Sequence, residues 1–229
     1  MFGIHVTGGY LHASKCDVTR SRDSGVVAKG GYTYLEGCTV SDNAKFGVSY
    51  GDRQDQQGVV SLSTGQVKDC TVSGNTGVGV YCSGATCELQ NTKVLRTKMS
   101  QPPVQADGSG VSAVLGGLIS ISACKIAQNA NFGIFVHGGS QAGRRASGVS
   151  VVNSEVAHNG TYGASVAPAS DETSGFRANL RICAQSKFSQ NPQGPVEGYF
   201  TKDTSMAVYA GAGLGVLALA YLAYRWKQQ

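Results

Sequence analysis

The sequence predicts an all-β column of about seven stacked coils followed by one C-terminal transmembrane α-helix. Three observations predict it: a residue pattern that recurs through the first 190 positions, an uncharged run of nineteen residues near the end, and a composition rich in glycine and poor in charge. Of 229 residues, 32 are Gly and only 14% are charged, where soluble domains carry about a quarter. This excludes a solvated helical bundle, a coiled coil and a charge-driven disordered chain. Glycine without a Gly-X-Y period excludes collagen. The net charge of +5 is thin and scattered, with Arg225 and Lys227 at the extreme end, so no nucleic-acid footprint is read.

The repeat is aligned on a Cys or small polar anchor. Its copies begin at Cys16, Cys38, Cys70, Cys124 and Ser154, with degenerate copies at Thr92 and Ser186. Two positions after the anchor stands an aliphatic residue (Val18, Val40, Val72, Ile126, Val156). Five positions after it stands Asn (Asn43, Asn75, Asn129, Asn159), and nine after it stands Gly (Gly25, Gly47, Gly79, Gly133, Gly163). The basic unit is 22 residues, with insertions of about ten. Alternating stretches such as Tyr32-Thr33-Tyr34-Leu35 and Leu118-Ile119-Ser120-Ile121 read as short strands separated by Gly-rich turns.

A unit of three short strands cannot bury its apolar side alone. Stacking the units buries a continuous core and pairs each strand in parallel with its equivalent about 4.8 Å above, giving a rod roughly 34 Å long. The shared positions then acquire expected roles. The aliphatic residues form an interior ladder. Cys38, Cys70 and Cys124 fill tight interior sites as small apolar side chains. Asn43, Asn75, Asn129 and Asn159 bond their own backbone and each other up the stack, and the repeat Gly supplies the backbone angle of the following corner.

This C-x-V-x-x-N-x-x-x-G-V-x-V pattern resembles the right-handed parallel β-helix superfamily, the pectate-lyase-like fold, over residues 1–192. The resemblance implies a right-handed parallel β-helix of about seven coils. It implies carbohydrate chemistry only where the catalytic motifs are present. The calcium-binding carboxylate cluster of pectate lyases finds no aligned acidic face here. Of the polygalacturonase motifs, the R-I-K element appears only as Arg181-Ile182-Cys183, and no His follows a Gly.

Equal phase means adjacency in the stack, so the alignment itself searches for chemistry. One position after the anchor, Lys125 and Glu155 form an opposite-charge pair; four after it, Arg20 and Asp42 are placed to pair. No phase brings two carboxylates together for glycoside hydrolysis or calcium binding. His5, His12, His137 and His158 fall at different phases, and no G-x-S-x-G elbow occurs. The seven cysteines lack zinc spacing; Cys82 and Cys87 read as two neutral thiols or as a local disulfide. No cofactor or metal is read. Asn159-Gly160-Thr161 is a glycosylation sequon within the Asn ladder and is expected to stay unmodified. Arg144-Arg145-Ala146-Ser147 matches a basophilic kinase site, which makes Ser147 a candidate phosphosite, although a solvated basic loop is the commoner explanation of such a run.

The run Met206–Tyr224 covers about 28 Å as a helix, enough to cross a bilayer. Tyr209, Tyr221, Tyr224 and Trp226 stand as interfacial aromatics, and Arg225 and Lys227 close the segment. Gly211 and Gly215 form a G-x-x-x-G step for a neighbouring helix. The organisation expected is a β-helix over 1–192, a linker over 193–205, a transmembrane helix over 206–226 and a basic tail over 227–229. No N-terminal signal peptide is read, and an organelle membrane fits better than secretion.

Insertions 52–57, 140–147 and 168–174 leave from the turn after the G-V-x-V strand and share one edge, whereas 98–109 emerges elsewhere. These polar loops, with the transmembrane helix and the lipid bilayer, are the expected contacts with other membrane-protein subunits. The function read is a non-catalytic, membrane-anchored scaffold or docking element in a larger membrane complex. The alternative is a membrane-tethered carbohydrate-active protein. The first coil, with Gly3-Ile4-His5-Val6, exposes strand edges that need covering.

Overall fold

The computed structural model describes residues 1–198 apart from 55, 59, 102–106, 139–145, 168–177 and 184. Period-2 segments separated by Gly and polar turns wind into a column with three parallel sheets. The first sheet has eight strands, from Ile4–Thr7 to Gly194–Gly198. The second has seven, from Tyr10–Ser14 to Ala178–Ile182, and the third has seven, from Asp17–Thr19 to Lys187–Ser189. Each coil contributes one strand to each sheet. The column continues through Gly198, because Gly194–Gly198 pairs in parallel with Tyr162–Ala167; the segment read as a linker therefore begins as strand. A two-stranded antiparallel hairpin, Arg53–Gln54 with Val60–Ser61, carries the first insertion.

Apolar side chains line the inside because alternate residues of every strand face the axis. In the third sheet Val18, Val40, Val72, Val94, Ile126, Val156 and Phe188 stand in one register and are buried. The degenerate copies at Thr92 and Ser186 thus complete the ladder. The largest buried side chain, Tyr50, fits because the second sheet offers Gly65, where a Cβ would lie 2.1 Å from the Tyr50 ring. Its hydroxyl accepts a hydrogen bond from Thr33 Oγ1 at 3.1 Å.

The Asn ladder forms through side chains of adjacent coils. Asn129 donates both its backbone N–H (3.2 Å) and its Nδ2 (2.9 Å) to Asn159 Oδ1, and Asn159 repeats both bonds to Asn191 Oδ1 at 3.0 Å. Asn43 does the same to Asn75. Each Nδ2 also reaches the carbonyl of the ladder residue one coil earlier, such as Asn43 to Val18 and Asn75 to Val40. The partners are thus the neighbouring coils, not the residue's own backbone. Thr97 interrupts the row between Asn75 and Asn129; its N–H still donates to Asn129 Oδ1 at 3.1 Å.

Cys38, Cys70 and Cys124 are buried, but they are not inert apolar fillers. Each anchor N–H donates to the γ heteroatom of the next anchor: Cys38 to Cys70 Sγ (3.3 Å), Cys70 to Thr92 Oγ1 (3.3 Å), Thr92 to Cys124 Sγ (3.5 Å), Cys124 to Ser154 Oγ (3.0 Å) and Ser154 to Ser186 Oγ (3.4 Å). The γ atoms of Cys70, Thr92, Cys124 and Ser186 also donate to a strand carbonyl one coil earlier, as Cys124 does to Leu89 at 3.5 Å. Cys, Thr and Ser share this position because all carry a small donor–acceptor at γ.

The repeat Gly also has a different reason from the one expected. Gly25, Gly47, Gly79, Gly133 and Gly163 are absent from the positive-φ residues; the constraint is space. A Cβ on Gly133 would lie 2.5 Å from the Gly163 carbonyl oxygen and 2.5 Å from Val156 Cγ1. Left-handed backbone recurs instead at the corners, notably just before the anchor (Lys15, Gly37, Asp69, Asn91, Ala123, Asn153) and four residues after it (Arg20, Asp42, Gly74, Arg96, Gln128, His158, Gln190). There φ lies between 46° and 66°. Non-glycine residues at these corners cost about 1 kcal/mol each, which the pairing on both sides offsets.

At the N-terminal end, Phe2 is 40% and Tyr10 67% exposed, and Ile4, Val6 and Leu11 are only half-buried. These are the edge strands that the sequence left uncovered.

Candidate binding groove at a corner of the column

Between the second and third sheets each coil turns through the left-handed residue before the anchor, and the stacked turns form a groove of about 350 Å³ over four successive coils. Its floor is the anchor ladder of Thr92, Cys124 and Ser154. One wall carries Asn91, Ala123, Asn153 and Gln185. The other carries Lys93, Lys125, Glu155 and Lys187, which stand in register on adjacent strands, about 4.8 Å apart.

Only one acid interrupts the row of amines. Lys125 Nζ lies 3.1 Å from both carboxylate oxygens of Glu155, the pair that the alignment anticipated. Among the described residues Lys93 and Lys187 have no ion-pair partner. The floor thiol of Cys124 is no nucleophile at neutral pH, because burial pushes its pKa up. The same cause raises the Cys70 thiol to about 11.

Several carboxylates elsewhere on the column are engaged. Glu36 Oε1 lies 3.1 Å from Lys68 Nζ, and that bond holds the Glu36 carboxyl below its usual range. Asp42 lies 3.5 Å from Lys98, not against Arg20 as the alignment suggested, because Lys98 reaches it from two coils away. The Glu36–Lys68 pair was legible from the shared phase two residues before the anchor and was missed. Asp107, fully buried, accepts bonds from the Ser100 N–H (2.6 Å) and hydroxyl and from the Gly108 N–H (3.2 Å), which closes the 98–109 insertion on itself, and Asn131 Nδ2 donates to the Asp107 carbonyl at 3.1 Å to tie it to the column. Among the described residues no three His, Cys, Asp or Glu side chains converge as metal ligands.

Ser147 does not suit a kinase in the folded chain. It is 1% exposed, and its hydroxyl accepts a hydrogen bond from the Gly116 N–H at 2.9 Å, as Ser63 does from Gly30 at 2.8 Å in the same phase. A phosphate has no room there. Asn159 of the sequon is fully buried in the ladder. Cys82 and Cys87 are buried thiols not joined in a disulfide. Of the four insertions, 52–57 ends in the hairpin and 98–109 leaves from the corner after the third sheet. Loop 140–147, apart from Ala146 and Ser147, and loop 168–174 lie outside the described residues. So do Gly211, Gly215 and the expected transmembrane helix. No helix among the described residues is long and apolar enough to cross a membrane.

Three parallel sheets in register, with internal Asn and anchor ladders, define a parallel β-helix. The match of residues 2–180 to the model of the right-handed β-helix region then fixes the family, to which the chain belongs. No curated protein sequence matches it. Among solved structures it is similar to the pectate lyase Pel9A, at 13% identity and a TM-score of 0.50, covering 82% of this chain and 51% of that one. It is also similar to the periplasmic alginate epimerase AlgG, at 15% identity and a TM-score of 0.39, covering 90% of this chain and 60% of that one. The chain spans half to three-fifths of the length of these two enzymes. At such identities the likeness concerns the fold.

Proposed function

We propose that the column is a non-catalytic docking element, held to a membrane by residues 206–226 as an accessory subunit of a larger complex. The observation that carries this reading is the exposed row of Lys93, Lys125 and Lys187 on a groove whose floor is locked by buried hydrogen bonds. Such a floor holds the wall residues at fixed spacing, which is what a docking surface requires. Three of the column's acids, Glu36, Asp42 and Glu155, are held in pairs with Lys68, Lys98 and Lys125. Mild solubilisation of the native membrane followed by sizing tests the reading. The chain is expected in a particle much larger than its 23.7 kDa; a lone chain of that mass would sink it.

A second reading, binding or turnover of an acidic polysaccharide, is supported by the lysine row and by the fold shared with the pectate lyase. Cleavage of polygalacturonate by the purified chain would establish it over the first.

A further inference from the structure

We propose that the occupant of the corner groove is an extended, acidic peptide segment of a partner protein, an inference that rests on the docking reading and names its chemistry. Charge complementarity chooses the sign. The wall presents three amines against one carboxylate, and that carboxylate is taken up by Lys125. The opposite wall chooses the polymer. Asn153 and Gln185 carry amides that both donate and accept, matching the N–H and C=O groups of a peptide main chain, while Asn91 Nδ2 already donates to Asp69 Oδ1 at 2.6 Å and offers its carbonyl oxygen. A sugar polymer draws on aromatic platforms, and the ring stacks of this column stand elsewhere, at Tyr10–Tyr32, Phe46–Tyr81 and Phe132–Phe135.

Spacing sets the motif. Lys93 and Lys187 are three coil steps apart, about 14 Å. An extended peptide rises about 3.3 Å per residue and returns a side chain to the same face every second residue. Acidic residues at i, i+2 and i+4 therefore cover the row. The outer two meet Lys93 and Lys187, and the middle one competes with Glu155 for Lys125. Glu155 acts as a brake on this interaction, so removing its charge strengthens binding.

The test uses the full chain and a fluorescent Glu-Gly repeat peptide, read by anisotropy, with a Gln-Gly peptide and oligogalacturonate as comparators. The Glu-Gly peptide is expected to bind and the Gln-Gly peptide to fail. Lys93→Ala with Lys187→Ala should weaken binding about tenfold, from two exposed charge contacts, and Glu155→Gln should tighten it several-fold. These residues are on the surface, and an unchanged circular dichroism spectrum verifies that the variants fold. Affinity indifferent to both variants overturns the proposal, and so does oligogalacturonate binding through the same lysines while the peptide does not. If the Lys93/Lys187 variant still co-sizes with a large membrane particle while peptide binding fails, this inference falls and the docking reading survives.

Discussion

The floor and the rim of one corner obey different rules. Along the floor the anchors run Cys16, Cys38, Cys70, Thr92, Cys124, Ser154 and Ser186; every one is small and carries a heteroatom at γ, because from Cys38 onward each accepts or donates a bond between coils. One residue later, along the rim, stand Asp17, Thr39, Thr71, Lys93, Lys125, Glu155 and Lys187, with no common chemistry. Stacking writes its demands on the buried row and leaves the exposed row free to encode a partner. The column is thus a fixed ruler whose markings are chosen separately.

The contrast breaks most visibly at the interior glycines. Gly133→Ala forces a methyl into the Gly163 carbonyl and Val156, where backbone must move, and should cost roughly 3 kcal/mol. Gly51→Ala, which meets nothing within 4 Å, should be nearly neutral. Urea unfolding midpoints of the two variants check this; equal losses would remove packing as the reason for the repeat Gly.

A smaller effect separates floor from rim directly. Cys124→Val removes the acceptor for the Thr92 N–H and the donor to the Leu89 carbonyl, and should cost about 1–3 kcal/mol. Cys124→Ser keeps both roles and should cost less. Lys125→Ala, one residue away, gives up only an exposed ion pair worth about 0.2–1 kcal/mol. A ranking with Lys125→Ala above Cys124→Val would invert the account.

Alkaline pH sharpens the same contrast. Burial raises the thiol of Cys70 to about 11, pushes Cys87 and Cys124 upward, and pushes the Tyr50 hydroxyl upward. In the unfolded chain a thiol ionises near 8.5. Between these values the unfolded state releases protons that the folded state keeps, so stability is full below about pH 8.5 and falls as pH rises toward 11. Unfolding midpoints at pH 7.5 and pH 10 should differ in that direction, and a Cys70→Ser variant should reduce the slope.

Much of this was legible in the sequence, and what was not has physical causes. The Val18, Val40, Val72, Ile126 and Val156 ladder followed from shared phase, since parallel stacking turns sequence phase into contact. The Lys125–Glu155 pair followed the same way. The roles of Cys and Gly were misread because composition shows size and polarity but not where the neighbouring coil's N–H or carbonyl falls. Arg20 and Asp42 share a phase yet do not pair, since Lys98 is long enough to reach across coils. Ser147 looked like a surface site because its basic neighbours Arg144 and Arg145 suggest a loop, whereas it is the first residue of the buried strand Ser147–Val152. The groove was hidden because its two walls are split between residues on either side of an anchor that read as filler.

The central claim is that side chains, not strand pairing alone, lock neighbouring coils in register. A double-mutant cycle in urea on Asn129→Ala and Asn159→Ala tests it most directly, because the buried Asn129 Nδ2–Asn159 Oδ1 bond is removed by either substitution, while the bond from the Asn129 backbone N–H is lost only with Asn159. The account predicts a coupling of about 1–2 kcal/mol; strictly additive losses would contradict it.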